Sequence, residues 1–188
     1  MSADLTVLQA IFRDSIHAHQ RFADQHLAIL ATAAEAIRRS LAAGGKLLAF
    51  GNGGSAADAQ HLVAELVGRF EKERAAMAAV ALTSNSSIVT AIGNDYSFDH
   101  VFVRQVEALG RSGDVAFGIS TSGRSANVER ALTAAKGIGV VTIALTGRDG
   151  GSIGPLVDIH INVAENSTPR VQEVHRTVLH AMCSLIEE

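Results

Sequence analysis

The stretch Lys46-Leu47-Leu48-Ala49-Phe50-Gly51-Asn52-Gly53-Gly54-Ser55 decides the fold. Lys46–Phe50 is an apolar run too short for a helix, and glycine stops it abruptly, which is how a buried strand reads. Apolar residues after Ser55 recur at helical spacing. A strand, a glycine loop and a helix in that order form the opening unit of a sheet built by right-handed crossovers.

The same grammar repeats downstream. Short apolar runs at Ala78–Leu82, Val115–Ile119, Val140–Leu145 and Ile159–Val163 predict four more strands. Helical segments are expected near 55–70, 86–93, 99–110, 125–137 and 169–187. Strand–helix alternation predicts an α/β fold: a five-stranded parallel sheet in a three-layer αβα sandwich. Ligands of such sheets bind beyond the strand C-terminal ends, near the topological switch point. Upstream, Leu5, Leu8, Ile11, Phe12 and Ile16, then Phe22, Leu27, Leu30, Ala33, Ile37 and Leu41, mark residues 4–43 as helical, with glycine at 44–45 to end the run. That is more amphipathic helix than one sheet face needs, so its surplus apolar face predicts an oligomer.

Composition narrows the class. The chain has 188 residues and reads as a single domain, 1–188, with N-terminal helices at 4–43 and an α/β core at 46–188. Apolar residues make up 47% and aromatics only 4%, so Ala, Val, Leu and Ile must build the core. The net charge of −3, without a basic stripe, argues against nucleic acid as a partner. No apolar run reaches the ~18 residues of a membrane span. The first ten residues carry Asp4 and no cationic flank, unlike a secretory signal. A lone cysteine, Cys183, fits a reducing compartment, and a cytoplasmic location is expected.

Two loops have phosphate-binding character. Gly51-Asn52-Gly53-Gly54-Ser55 lets an anion approach backbone N–H groups at a helix start. It lacks Gly-Lys-Ser/Thr, and its Gly-x-Gly-Gly spacing is not that of a dinucleotide fingerprint. A tight turn without a ligand is the alternative. Ser120-Thr121-Ser122-Gly123-Arg124-Ser125 offers four hydroxyls and a glycine before another helix, a neutral phosphate cradle. Ser125 also suits an N-cap, and Arg124 either assists or faces solvent.

Proton-transfer groups lie beside these loops in sequence. His61 and Glu65, four apart, share one face of the helix that the glycine loop opens. They read as a metal-binding pair, as a positioned general base, or as a surface polar pair. Gln172 and His180 on the last helix are separated by roughly 12 Å along its axis and about 80° around it. Both reach one small ligand only in a demanding fit. His175 between them reads as orienting a neighbour or capping a polar face. Gly93-Asn94-Asp95 reads equally as a turn or as a contact to substrate hydroxyls.

Together these segments resemble the sugar isomerase (SIS) family, and within it the phosphoheptose isomerase branch. The resemblance rests on Gly51–Ser55, Asp58-Ala59-Gln60-His61 with Glu65, Gly93–Asp95, Gly118–Gly123, Ser125–Val128, Leu145–Gly151 and Gln172–His175 with His180. It spans nearly the whole chain and implies a flavodoxin-like sheet. It further implies conversion of D-sedoheptulose 7-phosphate to D-glycero-D-manno-heptose 7-phosphate in homotetramers with sites between subunits. Asn52, Gly53, Gly54, Asn94, Asp95, Ser120, Thr121, Ser122 and Ser125 match the substrate-binding positions. His61, Glu65, Gln172 and His180 match the ligands of one zinc ion (Zn2+) per subunit, with Glu65 and Gln172 also touching substrate. Glu65 and His180 match the acid–base pair. Ala56, Ala57 and Pro169 stand where relatives vary. Two other SIS readings remain, a non-catalytic module that binds a replication initiator and an isomerase of another sugar phosphate. The first lacks the glutamate that stands here as Glu65.

Overall fold

The computed structural model describes residues 3–188. Met1 and Ser2, the first residues of the expected domain, lie outside the described residues. In chain order the elements are α1 (Ala3–Ala42), β1 (Leu47–Gly51), α2 (Gly54–Val67), β2 (Ala79–Ala81), α3 (Ser86–Asp95), α4 (Val103–Leu109), β3 (Val115–Ser120), α5 (Ala126–Gly137), β4 (Val141–Gly147), β5 (Ile159–Val163) and α6 (Thr168–Ile186). All strand pairings are parallel, in the order β2-β1-β3-β4-β5.

That order puts the switch point between β1 and β3, because the chain runs outward to β2 from one and to β4 from the other. The glycine loop leaves β1 there, and the serine loop leaves β3. Both strands are buried along their whole length, and successive residues feed opposite cores. Leu47, Ala49, Val115, Phe117 and Ile119 pack with α1, α2 and α6. Leu48, Phe50 and Ala116 pack with α4 and α5. The result is the expected three-layer sandwich. Helices α2 and α6, which carry the proton-transfer residues, lie in the same layer.

Helix α1 is one unbroken helix of 40 residues rather than several, because no glycine or proline interrupts residues 3–42. At 1.5 Å per residue it is about 60 Å long, more than this domain can cover. Its second half is anchored through Phe22, Leu30, Ala33 and Ile37. Residues 3–14 are all exposed, Leu5, Leu8, Ile11 and Phe12 among them.

Two segments depart from expectation. The helix expected at 99–110 divides into a 3-10 turn, Phe98–His100, and the shorter α4. The Gln105 side-chain amide donates to the Val101 carbonyl at 2.7 Å and to the Leu82 carbonyl at 2.9 Å, so backbone acceptors at the break are satisfied from the side. Asn94 and Asp95 stand in the last turn of α3, not in a turn after it.

Candidate active site

The two loops build a cradle across the switch point. Gly53, at φ 55°, sits at the N-cap of α2 and offers no side chain to the first turn, where the Ser55 and Ala56 N–H groups donate back to the Asn52 and Gly53 carbonyls at 2.9 and 3.0 Å. Ser125 holds the N-cap position of α5 but does not cap it. Its hydroxyl turns to the Ser120 hydroxyl at 2.9 Å, with the Ser122 hydroxyl 3.4 Å from Ser120. Two helix N-termini that no side chain caps, and a cluster of hydroxyls, therefore flank the switch point, an arrangement that suits a phosphate. Thr121 lies between these serines, half-buried.

The Asn52 side chain does something sequence alone does not disclose. Its amide and that of Asn127 donate to each other at 2.9 Å, tying the glycine loop to the first turn of α5. A substrate is thus offered the Asn52 backbone more readily than its amide. Behind the serine loop runs the segment after β4. A Cβ on Gly123 would lie 2.2 Å from the Gly150 carbonyl, and one on Gly151 would lie 2.2 Å from that of Gly123. The Arg124 guanidinium turns outward to Asp149 at 2.6 Å, away from the hydroxyls.

The fold brings three of the four expected metal and proton-transfer side chains together. The Nε2 atoms of His61 and His180, 119 residues apart, are hydrogen-bonded at 2.8 Å. Glu65 Oε1 stands 3.3 Å from the same His61 nitrogen. One imidazole proton is shared among three atoms bearing lone pairs, which makes the cluster electron-rich and suited to a cation. Burial, then the nearby Arg176 guanidinium, hold His61 below the usual imidazole range, with Glu65 pulling the other way. Gln172 lies at the mouth of the first loop. A Cβ on Gly54 would sit 2.3 Å from its amide nitrogen, so glycine is required for the amide to rest on the start of α2.

Among the described residues, no three His, Cys, Asp or Glu side chains form a ready metal cage. The donor types nevertheless fit zinc: two imidazoles, a carboxylate, and a glutamine amide on the neighbouring loop. His61, Glu65 and His180, with Gln172 on the neighbouring loop side, are the residues that would hold such an ion.

Other expected residues are placed differently. Asn94 and Asp95 are exposed at the end of α3, and the Asn94 amide donates to the Asp95 carboxylate at 2.8 Å. His175 is fully buried in α6, its Nε2 hydrogen-bonded to the Thr146 carbonyl at 3.0 Å. It supports β4 and takes no place in the cluster. Cys183 is buried, and burial pushes its thiol up to about 12, which makes it inert.

Sequence reasoning assigned no role to Asn127, or to Asp58 and Arg176. Asp58 is 3% exposed, one turn before His61, and takes the Arg176 guanidinium of α6 at 2.7 Å. An acid on the buried face of an amphipathic helix was the available signal. Grooves of 460 Å3, lined by residues such as Tyr96 and Arg130, and of 440 Å3, along Ser15–Ala23, contain none of the cluster.

Comparison with known proteins agrees with this fold. Residues 12–147 match the SIS domain family. The chain is 54% identical over 180 residues to a phosphoheptose isomerase of Geotalea daltonii, covering 94% of each chain. It resembles the structure of a phosphoheptose isomerase from Neisseria gonorrhoeae with a TM-score of 0.93 at 49% identity, covering 97% of this chain and 98% of that one. For a phosphoheptose isomerase from Francisella tularensis the TM-score is 0.95 at 36% identity, with 98% of each chain covered.

Proposed function

The chain belongs to the SIS domain family, and from that membership and the site geometry we propose that it is a phosphoheptose isomerase. It converts D-sedoheptulose 7-phosphate to D-glycero-D-manno-heptose 7-phosphate, the opening step towards nucleotide-activated heptose. Relatives of that name at over half identity across nearly the full chain support the reading. The observation that carries it is the meeting of His61, Glu65 and His180 beside two uncapped helix N-termini. Phosphate binding alone requires the loops and not that cluster.

Ketose–aldose isomerisation takes a proton from the carbon beside a carbonyl and returns one to its neighbour through an enediol. Glu65 removes and returns the carbon-bound proton. His180, facing Glu65 across the His61 nitrogen, moves protons at the two oxygens. Ser120, Thr121, Ser122 and Ser125, with the free N–H groups of α5, hold the 7-phosphate. Asn52, Gly53, Gly54 and the Gln172 amide line the sugar chain. Anchoring a flexible heptose at its far end keeps the reacting carbons at the cluster. His61, Glu65, Gln172 and His180 would hold one zinc ion per subunit, which when bound polarises the carbonyl.

We further propose a homotetramer acting in the cytoplasm, where phosphorylated sugars are made. The exposed Leu5, Leu8, Phe12 and Ile16 of α1 support assembly. Among the described residues no helix is long and apolar enough to cross a membrane.

Incubation with sedoheptulose 7-phosphate, followed by NMR, tests the function. Appearance of the aldose is expected. Turnover of a pentulose or hexulose phosphate instead would transfer the chain to another SIS isomerase, and no turnover of any would end the enzymatic reading.

A further inference from the structure

The segment joining α2 to β2 folds back over the end of α6, and Glu187 receives it. Glu187 is the C-cap residue of α6, and its side chain is 1% exposed. Its Oε1 accepts from the Phe70 backbone N–H at 2.8 Å and from Arg74 Nε at 3.0 Å. Its Oε2 accepts from the Glu71 and Lys72 N–H groups at 2.9 Å each. Four donors on one buried carboxylate fix the segment firmly.

Arg74 carries the connection onward. Its Nη2 donates to the Glu65 carbonyl at 2.7 Å, and its Nη1 to those of Leu66 and Ala75 at 2.9 and 3.0 Å. One guanidinium therefore joins Glu187 to the backbone of the residue assigned as base. Glu187 also follows His180 by seven residues, so the two share a face of α6 about 10 Å apart. Phe70 fills that interval, its ring 5.5 Å from the His180 imidazole and tilted by 33°. The carboxylate thus reaches Glu65 through Arg74 and His180 through Phe70.

We propose that Glu187 is a positioning residue for the isomerisation: by gripping residues 70–74 it sets where Glu65 and His180 stand relative to each other. It touches no reacting atom. The proposal rests on the isomerase reading for its catalytic consequence, and its geometric half is measurable without turnover.

The test compares wild type with Glu187→Ala, Glu187→Asp and a distant control, Asp158→Asn, in the whole protein. Asp158 accepts from the Thr142 N–H and hydroxyl at 2.9 and 2.8 Å between β4 and β5, towards the other edge of the sheet from β2, so its loss costs stability alone. Steady-state kinetics on sedoheptulose 7-phosphate are read beside imidazole 1H–15N NMR spectra, with the His180 signals assigned through His180→Gln. Since small misplacements of catalytic groups are costly, Glu187→Ala should lower kcat about 10-fold or more with KM within about 3-fold. Its His180 signals should move, and Glu187→Asp should recover part of both. Asp158→Asn should melt earlier with kcat and His180 signals unchanged. A Glu187→Ala enzyme with wild-type kcat, or with His180 signals unmoved, would overturn the proposal. Wild type inert towards ketose phosphates would end the isomerase reading instead, and the imidazole spectra would still decide the positioning role. Where Glu187→Ala does not fold, Glu187→Gln keeps the shape without the charge and carries the same two readings.

Discussion

Asn52 and Asn127 donate to each other's side-chain carbonyls at 2.9 Å, closing a reciprocal amide pair over the gap between β1 and β3. The pair locks the glycine loop to the helix that follows the serine loop, so the two halves of the anion cradle are held as one piece. Asn127→Asp replaces a donor with charge, leaves the Asn52 carbonyl facing a carboxylate, and places negative charge beside the phosphate. KM should rise about 10-fold or more, with the larger share of the loss in binding rather than kcat, as read by steady-state kinetics. An unchanged KM would mean the loops are fixed independently.

Glu65 and His180 should separate chemistry from binding. Glu65→Gln is expected to abolish turnover while sugar-phosphate binding stays measurable by calorimetry. His180→Ala should cost at least ~10²-fold in rate, the scale of a lost proton transfer. Turnover of either variant at the wild-type rate would remove that residue from the acid–base pair.

Ser122→Ala should act on the other term. Its hydroxyl belongs to the proposed phosphate cradle and lies 3.4 Å from that of Ser120. The expected result is a raised KM with kcat largely kept. A selective fall in kcat would contradict an anchoring role.

His175 predicts acid lability. Burial lowers its pKa from 6.5 to about 4, against the pull of the Thr146 carbonyl. Among the described residues its Nδ1 finds no hydrogen-bond partner. The unfolded chain takes up this proton near 6.5 while the folded chain resists until about 4. Stability is therefore intact above that window and falls as pH drops through it, by on the order of 3 kcal/mol. His175→Gln still donates to Thr146 but does not titrate. Denaturant unfolding from pH 7 to 4 should show a flatter dependence for this variant, and parallel curves would refute the assignment.

The exposed stripe of α1 predicts assembly. Phe12 and Ile16, at 69% and 65% exposure, stand one turn apart on the same face. Phe12→Glu with Ile16→Glu should reduce the particle mass in sedimentation without unfolding the core, because neither residue packs in it. An unchanged mass would place the subunit contacts elsewhere.

Local physics made much of this architecture legible. Each strand falls on one of the short runs read as a strand, and Ile159–Val163 emerged with the expected bounds. Both loops were legible because glycine and serine at a strand end have few other uses. Less legible were features settled by tertiary contact. The break before α4 depends on Gln105 reaching carbonyls 23 and four residues away. Asn94 and Asp95 carry turn chemistry, yet helix α3 extends through them. Within the site, His61 and Glu65 were readable as a pair because one helix holds both. Their meeting with His180, and the roles of Asn127 and Glu187, depend on partners more than seventy residues away.

The contact between α2 and α6 has a consequence for how the catalyst comes into being. A nascent chain extended only to residue 167 already contains every strand and both anion loops, so the sheet has all it needs to pair. It contains no second imidazole for His61 and no carboxylate to gather residues 70–74. In the order of synthesis, every residue of the two loops is therefore made before the chain holds the partner that His61 meets on α6.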